Sequence, residues 1–243
     1  MQNQFDPRTT GRVDPAIAVG VPTVARDAGL RSYMLKVYNY MASGVLLTGI
    51  VALLFANSGM AAQVMATPLR YLIIFAPLGF VFAMSLGVNR FSTGTLQLLF
   101  WGFAGVMGLS MSTVFLVYTG TSIAQTFFAV AAAFMGLSLY GYTTKKDLSG
   151  FGTFLIMGVI GLFVAMLINM FLHSPAMQLA ISAIGVLIFA GLTAYDTQKI
   201  KSMYAHVAGT EMMGKAVIMG ALQLYLDFIN MFTFLLSFMG DRR

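Results

Sequence analysis

Seven apolar stretches joined by short polar turns predict an all-α membrane protein with seven transmembrane helices. Three observations carry that prediction. Hydrophobic residues make up 58% of the 243-residue chain and charged residues only 9%, against about 25% charged in an ordinary soluble domain. The apolar runs are each near the roughly 20 residues that a helix needs to cross a bilayer. They are apolar on every side rather than alternating over segments of about 10 residues, so they are helices and not the strands of a membrane β-barrel.

Taken in chain order, residues 1–30 contain Pro7, Pro15 and Pro22 with mixed charges, and they lack the apolar core and small-residue cleavage site of a secretory signal. They read as a polar, largely disordered cytoplasmic tail ahead of a transmembrane domain over residues 31–243. The spans fall at Tyr38–Asn57, Leu69–Val88, Gln97–Tyr118, Ile123–Tyr142, Phe151–Leu172, Met177–Tyr195 and Ala216–Met239. Connections such as Gly120-Thr121-Ser122 and His173-Ser174-Pro175 are built of turn formers and are short enough to join only neighbouring helices. Gly102, Gly105 and Gly108, and Gly158 with Gly161, recur at spacings that let helices approach closely. The 19 methionines are scattered without Cys or His partners and read as flexible core filler rather than a metal conduit.

Fourteen Lys and Arg against eight Asp and Glu give a net charge of +6. The basic residues flank spans, so the charge speaks for orientation rather than for nucleic acid. Arg26, Arg31, Lys36, Arg90, Lys145, Lys146, Lys199, Lys201 and Lys215 all fall on one side; Arg70, His173, Arg242 and Arg243 fall on the other. The positive-inside rule then makes the amino terminus cytoplasmic, and seven crossings put the carboxyl terminus outside. An interrupted last span would instead return it to the cytoplasm.

Chemistry has few places to reside. The chain has no cysteine, and no P-loop, nucleophile elbow, dinucleotide fingerprint or paired-His motif. The sequence therefore predicts no enzyme and no cofactor. Ionisable residues inside spans are costly and mark function by default; the acidic ones are Asp196, at the end of the sixth span, and Asp227, inside Leu224-Tyr225-Leu226-Asp227-Phe228-Ile229-Asn230. If the sixth helix runs to about Ala205 and the seventh starts near Ile218, each Asp lies about nine residues, or roughly 14 Å, from the loop between them. A hairpin then sets both carboxylates at one depth. Such a pair titrates in two coupled steps, and its ionised oxygens suit a hard cation such as Ca²⁺, held weakly and transiently. Gln223 and Asn230 share the helix face of Asp227 and are the candidates to line a polar path with it. Two other readings stay open: Asp196 paired with Lys199 one turn away, and Asp227 bonded to a neighbouring helix. Intramembrane proteolysis by an aspartyl pair is a third, although neither Asp has Gly-rich surroundings.

The run Tyr195-Asp196-Thr197-Gln198-Lys199, the run from Leu224 to Asn230, and Leu139-Tyr140-Gly141-Tyr142 through Gly150-Phe151 are similar to the Bax inhibitor-1 family, above all its bacterial inner-membrane branch. The resemblance covers nearly everything after residue 30. It implies a bundle whose last helix is surrounded by the other six, and a pH-sensitive calcium leak gated by the aspartates that match Asp196 and Asp227. Calcium ions, protons and the lipid bilayer are then its partners, with no role for nucleic acid. The chain departs from the family pattern in having no acidic residue in the span Leu69–Val88, and in carrying Ser237 where relatives often have Arg. Arg90 is the nearby candidate for a substitute latch. A second class of function is a regulatory partner of membrane proteases or quality control without ion flux, with the amino-terminal tail as the contact.

Overall fold

A computed structural model describes residues 23–243, with side chains from residue 27 onward. The described chain is all helix apart from turns, and it forms seven long helices and one short one. In order they are α1 (Thr23–Asn57), α2 (Met60–Met65), α3 (Leu69–Gly87), α4 (Thr93–Val117), α5 (Gly120–Thr143), α6 (Ser149–Leu172), α7 (Pro175–Val207) and α8 (Met212–Met239). All except the six-residue α2 are long and apolar enough to cross a membrane. The expected seven-span fold is therefore present, and the last helix runs uninterrupted for 28 residues.

Local chemistry sets the ends. Ser92, Thr119 and Ser174 stand in extended backbone at the starts of α4, α5 and α7, and each hydroxyl accepts an N–H of the first turn, satisfying a donor that the helix cannot. Pro175 follows at a position where its missing N–H costs nothing. His173 ends α6 in the left-handed region at φ 51°.

Helix ends differ from the sequence expectation where helices leave the bilayer. Residues 23–30, expected in the tail, already belong to α1, and residues 1–22 lie outside the described part. The 33 residues of α7 give about 50 Å of helix, well beyond a hydrocarbon core of about 30 Å. Hydropathy registers the bilayer and stops at Tyr195, whereas backbone hydrogen bonding continues through Asp196 to Val207.

The last helix is the axis. In its most apolar stretch 67% of residues are buried, against 11–33% in the other six. It packs on α7, α1, α5 and α4, while α3 and α6 sit outside against α4 and α7. Four helices rather than six thus form the main packing around α8. Close approaches depend on absent side chains: a Cβ at Gly108 would sit 2.8 Å from the Thr48 carbonyl oxygen, and one at Gly141 would overlap the Ala194 carbonyl. The chain end is tied to the α4–α5 turn, where Thr119 N donates to Asp241 O (3.1 Å) and Arg243 N to Val117 O (2.9 Å). That turn lies at the end of the bundle opposite the start of α1, so the last residues finish on the far face.

Candidate functional site: a buried carboxyl pair between the last two helices

The α7–α8 hairpin keeps one antiparallel register along its length. A Cβ at Gly220 would stand 3.2 Å from Ile200, Gly185 receives the ring of Phe234, and Ser182 Oγ donates to Ser237 Oγ (3.1 Å). Extrapolating that register puts Gln223 level with Asp196 and Asp227 one turn further on. Every Cα–Cβ bond tilts toward its own helix amino terminus. In antiparallel helices this carries the Asp227 side chain back toward the loop and the Asp196 side chain away from it, so the two converge.

Both aspartates are 4% exposed, and their carboxyl groups are near enough to act on each other, with Gln223 beside Asp196. One oxygen on each, Asp196 Oδ1 and Asp227 Oδ2, is buried with no hydrogen-bond partner. Buried polar atoms are nearly always satisfied, so two orphans at one spot mark a place where structure alone does not account for the residues. Asp196 is eleven residues from the end of α7 and Asp227 fifteen from the start of α8, not the equal nine that the sequence suggested. They meet through tilt rather than through equal depth.

The neighbouring polar residues divide their work. Asn230 donates its amide to Leu226 O (2.8 Å), one turn back on α8. Lys199 is exposed and lays its ammonium 5.9 Å from the Tyr195 ring centroid, although it is close enough to act electrostatically on both carboxyls. Arg90 stands exposed in the turn before α4. In that region Lys215 Nζ donates to Val88 O (3.0 Å). Among the described residues no third His, Cys, Asp or Glu joins the two aspartates to form a metal cluster.

The rest of the Tyr-Asp-x-Gln-Lys run is scaffolding that sequence reasoning left unassigned. Tyr195 packs on Gly152 of α6. Gln198 accepts from Leu148 N (2.9 Å) and donates to Lys146 O (2.8 Å), pinning the α5–α6 turn. Two residues beyond the run, Lys201 Nζ donates to Tyr142 O (2.7 Å) in the last turn of α5. The dense polar spelling of this segment is the available signal: Gln198 reaches the α5–α6 turn, Thr197 reaches Ser138 of α5 (3.3 Å) and Lys201 reaches the last turn of α5.

Toward the other end of the bundle, the α8 face that carries Gln223, Asp227 and Asn230 continues to Phe234 and Ser237. Phe234 stacks on Phe189 of α7 (5.8 Å between centroids, 21°). Beyond it Ser237 accepts from Gln178 Nε2 (3.3 Å) and from Ser182, and Gln178 in turn accepts from Asn169 (3.2 Å). The polar face therefore has two halves separated by an aromatic pair.

Comparison with known proteins gives one consistent result. Residues 30–243 match the family described as Inhibitor of apoptosis-promoting Bax1. The chain is 50% identical over 219 residues to an uncharacterised protein of Rickettsia prowazekii, covering 89% of this chain and 92% of the relative. It is 46% identical over 220 residues to the inner membrane protein YbhL of Escherichia coli, covering 89% and 94%. A Caulobacter vibrioides protein, also uncharacterised, is 48% identical over 230 residues, covering 89% and 91%. With seven spanning helices and a family match that runs from the first span to the last residue, the chain is a multi-pass membrane protein that belongs to the Bax inhibitor family.

Proposed function

We propose that the protein is a pH-sensitive, passive calcium leak of the bacterial inner membrane, with Asp196 and Asp227 as the proton-responsive gate. The observation that carries this reading is the buried pair itself, with two carboxyls facing each other on the central hairpin and one orphaned oxygen on each. Two carboxyls away from water share a proton rather than carry two full charges, because like charges at that range oppose each other's ionisation. With a proton held between them they tie α7 to α8. With the proton lost, they repel each other and offer oxygens to a divalent cation. Calcium and protons thus compete for one site. The basic ends of α1, α5 and α7 face the cytoplasm in this reading, following the excess of Lys and Arg there.

The test is calcium entry into liposomes that carry purified protein, followed with an entrapped indicator across a pH series. Asp196→Asn and Asp227→Asn each remove one titrating group and keep its shape. Each is expected to flatten or displace the pH profile of the flux while leaving the protein folded. Wild-type pH profiles in both folded variants would reject the shared-proton gate.

A further inference from the structure

The flank of the bundle between α1 and α5 carries a second site. These two helices both pack on α8 but make next to no contact with each other, and between them lies a groove of about 770 Å³. That volume lies within the roughly 300–1,000 Å³ of sites that hold small molecules. Its floor is Phe228 of α8, the residue after Asp227, held edge-on by Phe127 and Phe134 at 5.6 Å each.

The lining changes character along its length. Arg31, Tyr38, Ser138 and Tyr142 occupy one end, while the other, from Met41 to Leu46 on α1 and from Phe127 to Met135 on α5, is wholly apolar. The polar end is also the basic end of the bundle. Besides Arg31, Lys201 lies 4.9 Å from the Tyr142 ring centroid, and Lys145 and Lys146 follow α5 directly. From Arg31 to Leu46, and from Phe127 to Tyr142, the walls each run about 22 Å at the helical rise of 1.5 Å per residue. One bilayer leaflet with its headgroup layer is about 20–22 Å thick. A groove that matches one leaflet in length, with a cation at headgroup level and only carbon below, is complementary to a lipid rather than to a soluble ligand or a partner helix. A helix would have to cover Arg31 as well.

We propose that this groove binds one anionic phospholipid from the leaflet at the basic end, with its phosphate on Arg31 and an acyl chain along Phe228. The site is independent of whether the protein conducts ions, yet its floor adjoins Asp227. Native mass spectrometry of the full-length protein, purified and exchanged into mixtures of phosphatidylglycerol and phosphatidylcholine, measures both occupancy and headgroup preference. The wild type is expected to retain a single phosphatidylglycerol. Arg31→Gln is expected to lower the preference for phosphatidylglycerol about fivefold, the effect of one basic residue near an anionic surface. Ala42→Phe, on an exposed wall position that tolerates a larger apolar side chain, is expected to abolish retention of either lipid. Lys36→Gln removes an equal charge from the same helix away from the groove and is expected to change neither. The proposal is overturned if Lys36→Gln acts like Arg31→Gln, if lipid survives Ala42→Phe, if a second copy of the chain takes the lipid's place, or if the wild type retains none.

Discussion

An aspartate within an apolar run is legible from sequence because burying it without a function is costly, and Asp227 stood out on that ground alone. Its company was harder to read. The run that singles out Asp196 also contains Gln198, and Lys201 follows it; their hydrogen bonds to the α5–α6 turn and the end of α5, fifty to sixty residues away, have no periodic signature. Glycines were legible as a class but not one by one. Gly105 and Gly161, picked by spacing, have nothing within 4 Å of a Cβ, whereas Gly141, picked only as part of a motif, faces the Ala194 carbonyl directly. Gly141→Ala is therefore expected to lose about 1–3 kcal/mol of stability by overpacking, read as a lower midpoint of thermal unfolding in detergent. Gly136→Ala on the same helix meets open space and is expected to lose none. Equal midpoints for the two variants would show that the α5–α7 contact gives way easily.

At the scale of the helix, the sequence showed how many elements there are but not where they end. Hydropathy ended the sixth span at Tyr195 and so placed Asp196 at a membrane edge. The helix continues to Val207, two residues past the Ala205 assumed for the hairpin, and its partner α8 begins at Met212, six residues before the assumed start near Ile218. The pair meets because register and tilt act together, and neither appears in a hydropathy plot. The same hairpin carries the aromatic pair Phe189–Phe234 between its two polar halves. If the proposed ion path follows that face, the apolar pair is a dry constriction that resists a hydrated ion whatever the protonation of the aspartates. In the proposed leak, Phe234→Ala opens the constriction and is expected to raise calcium flux severalfold at every pH. Its pH profile keeps the wild-type shape, because both aspartates remain. Phe234→Leu keeps the apolar bulk and is expected to stay near wild type. A Phe234→Ala protein that folds and conducts no faster would remove the aromatic pair from the ion's path.

For the whole molecule the question is whether the fold supports a leak or a pump. Tight calcium sites use six to eight oxygens, with several carboxylates. Here two carboxyls and the neighbouring Gln223 form the set between α7 and α8, and among the described residues no third acidic or imidazole group joins them. In the proposed leak, a site so sparsely furnished would release its ion easily, and ready release is what conduction needs. Coupled exchange would instead require that calcium and proton occupancy each select one of two global arrangements of the bundle. The central helix, however, is buried along most of its length against α1, α4, α5 and α7, and its end is fastened to the α4–α5 turn by Thr119 and Arg243. Local separation of the two carboxyls costs far less than rocking a helix so enclosed. Calcium is accordingly expected to move only down its electrochemical gradient. In liposomes with equal calcium on both sides, an imposed proton gradient should change the rate of tracer exchange, through the gate, but produce no net accumulation. Uphill calcium uptake driven by the proton gradient alone would demand obligatory exchange and overturn the leak.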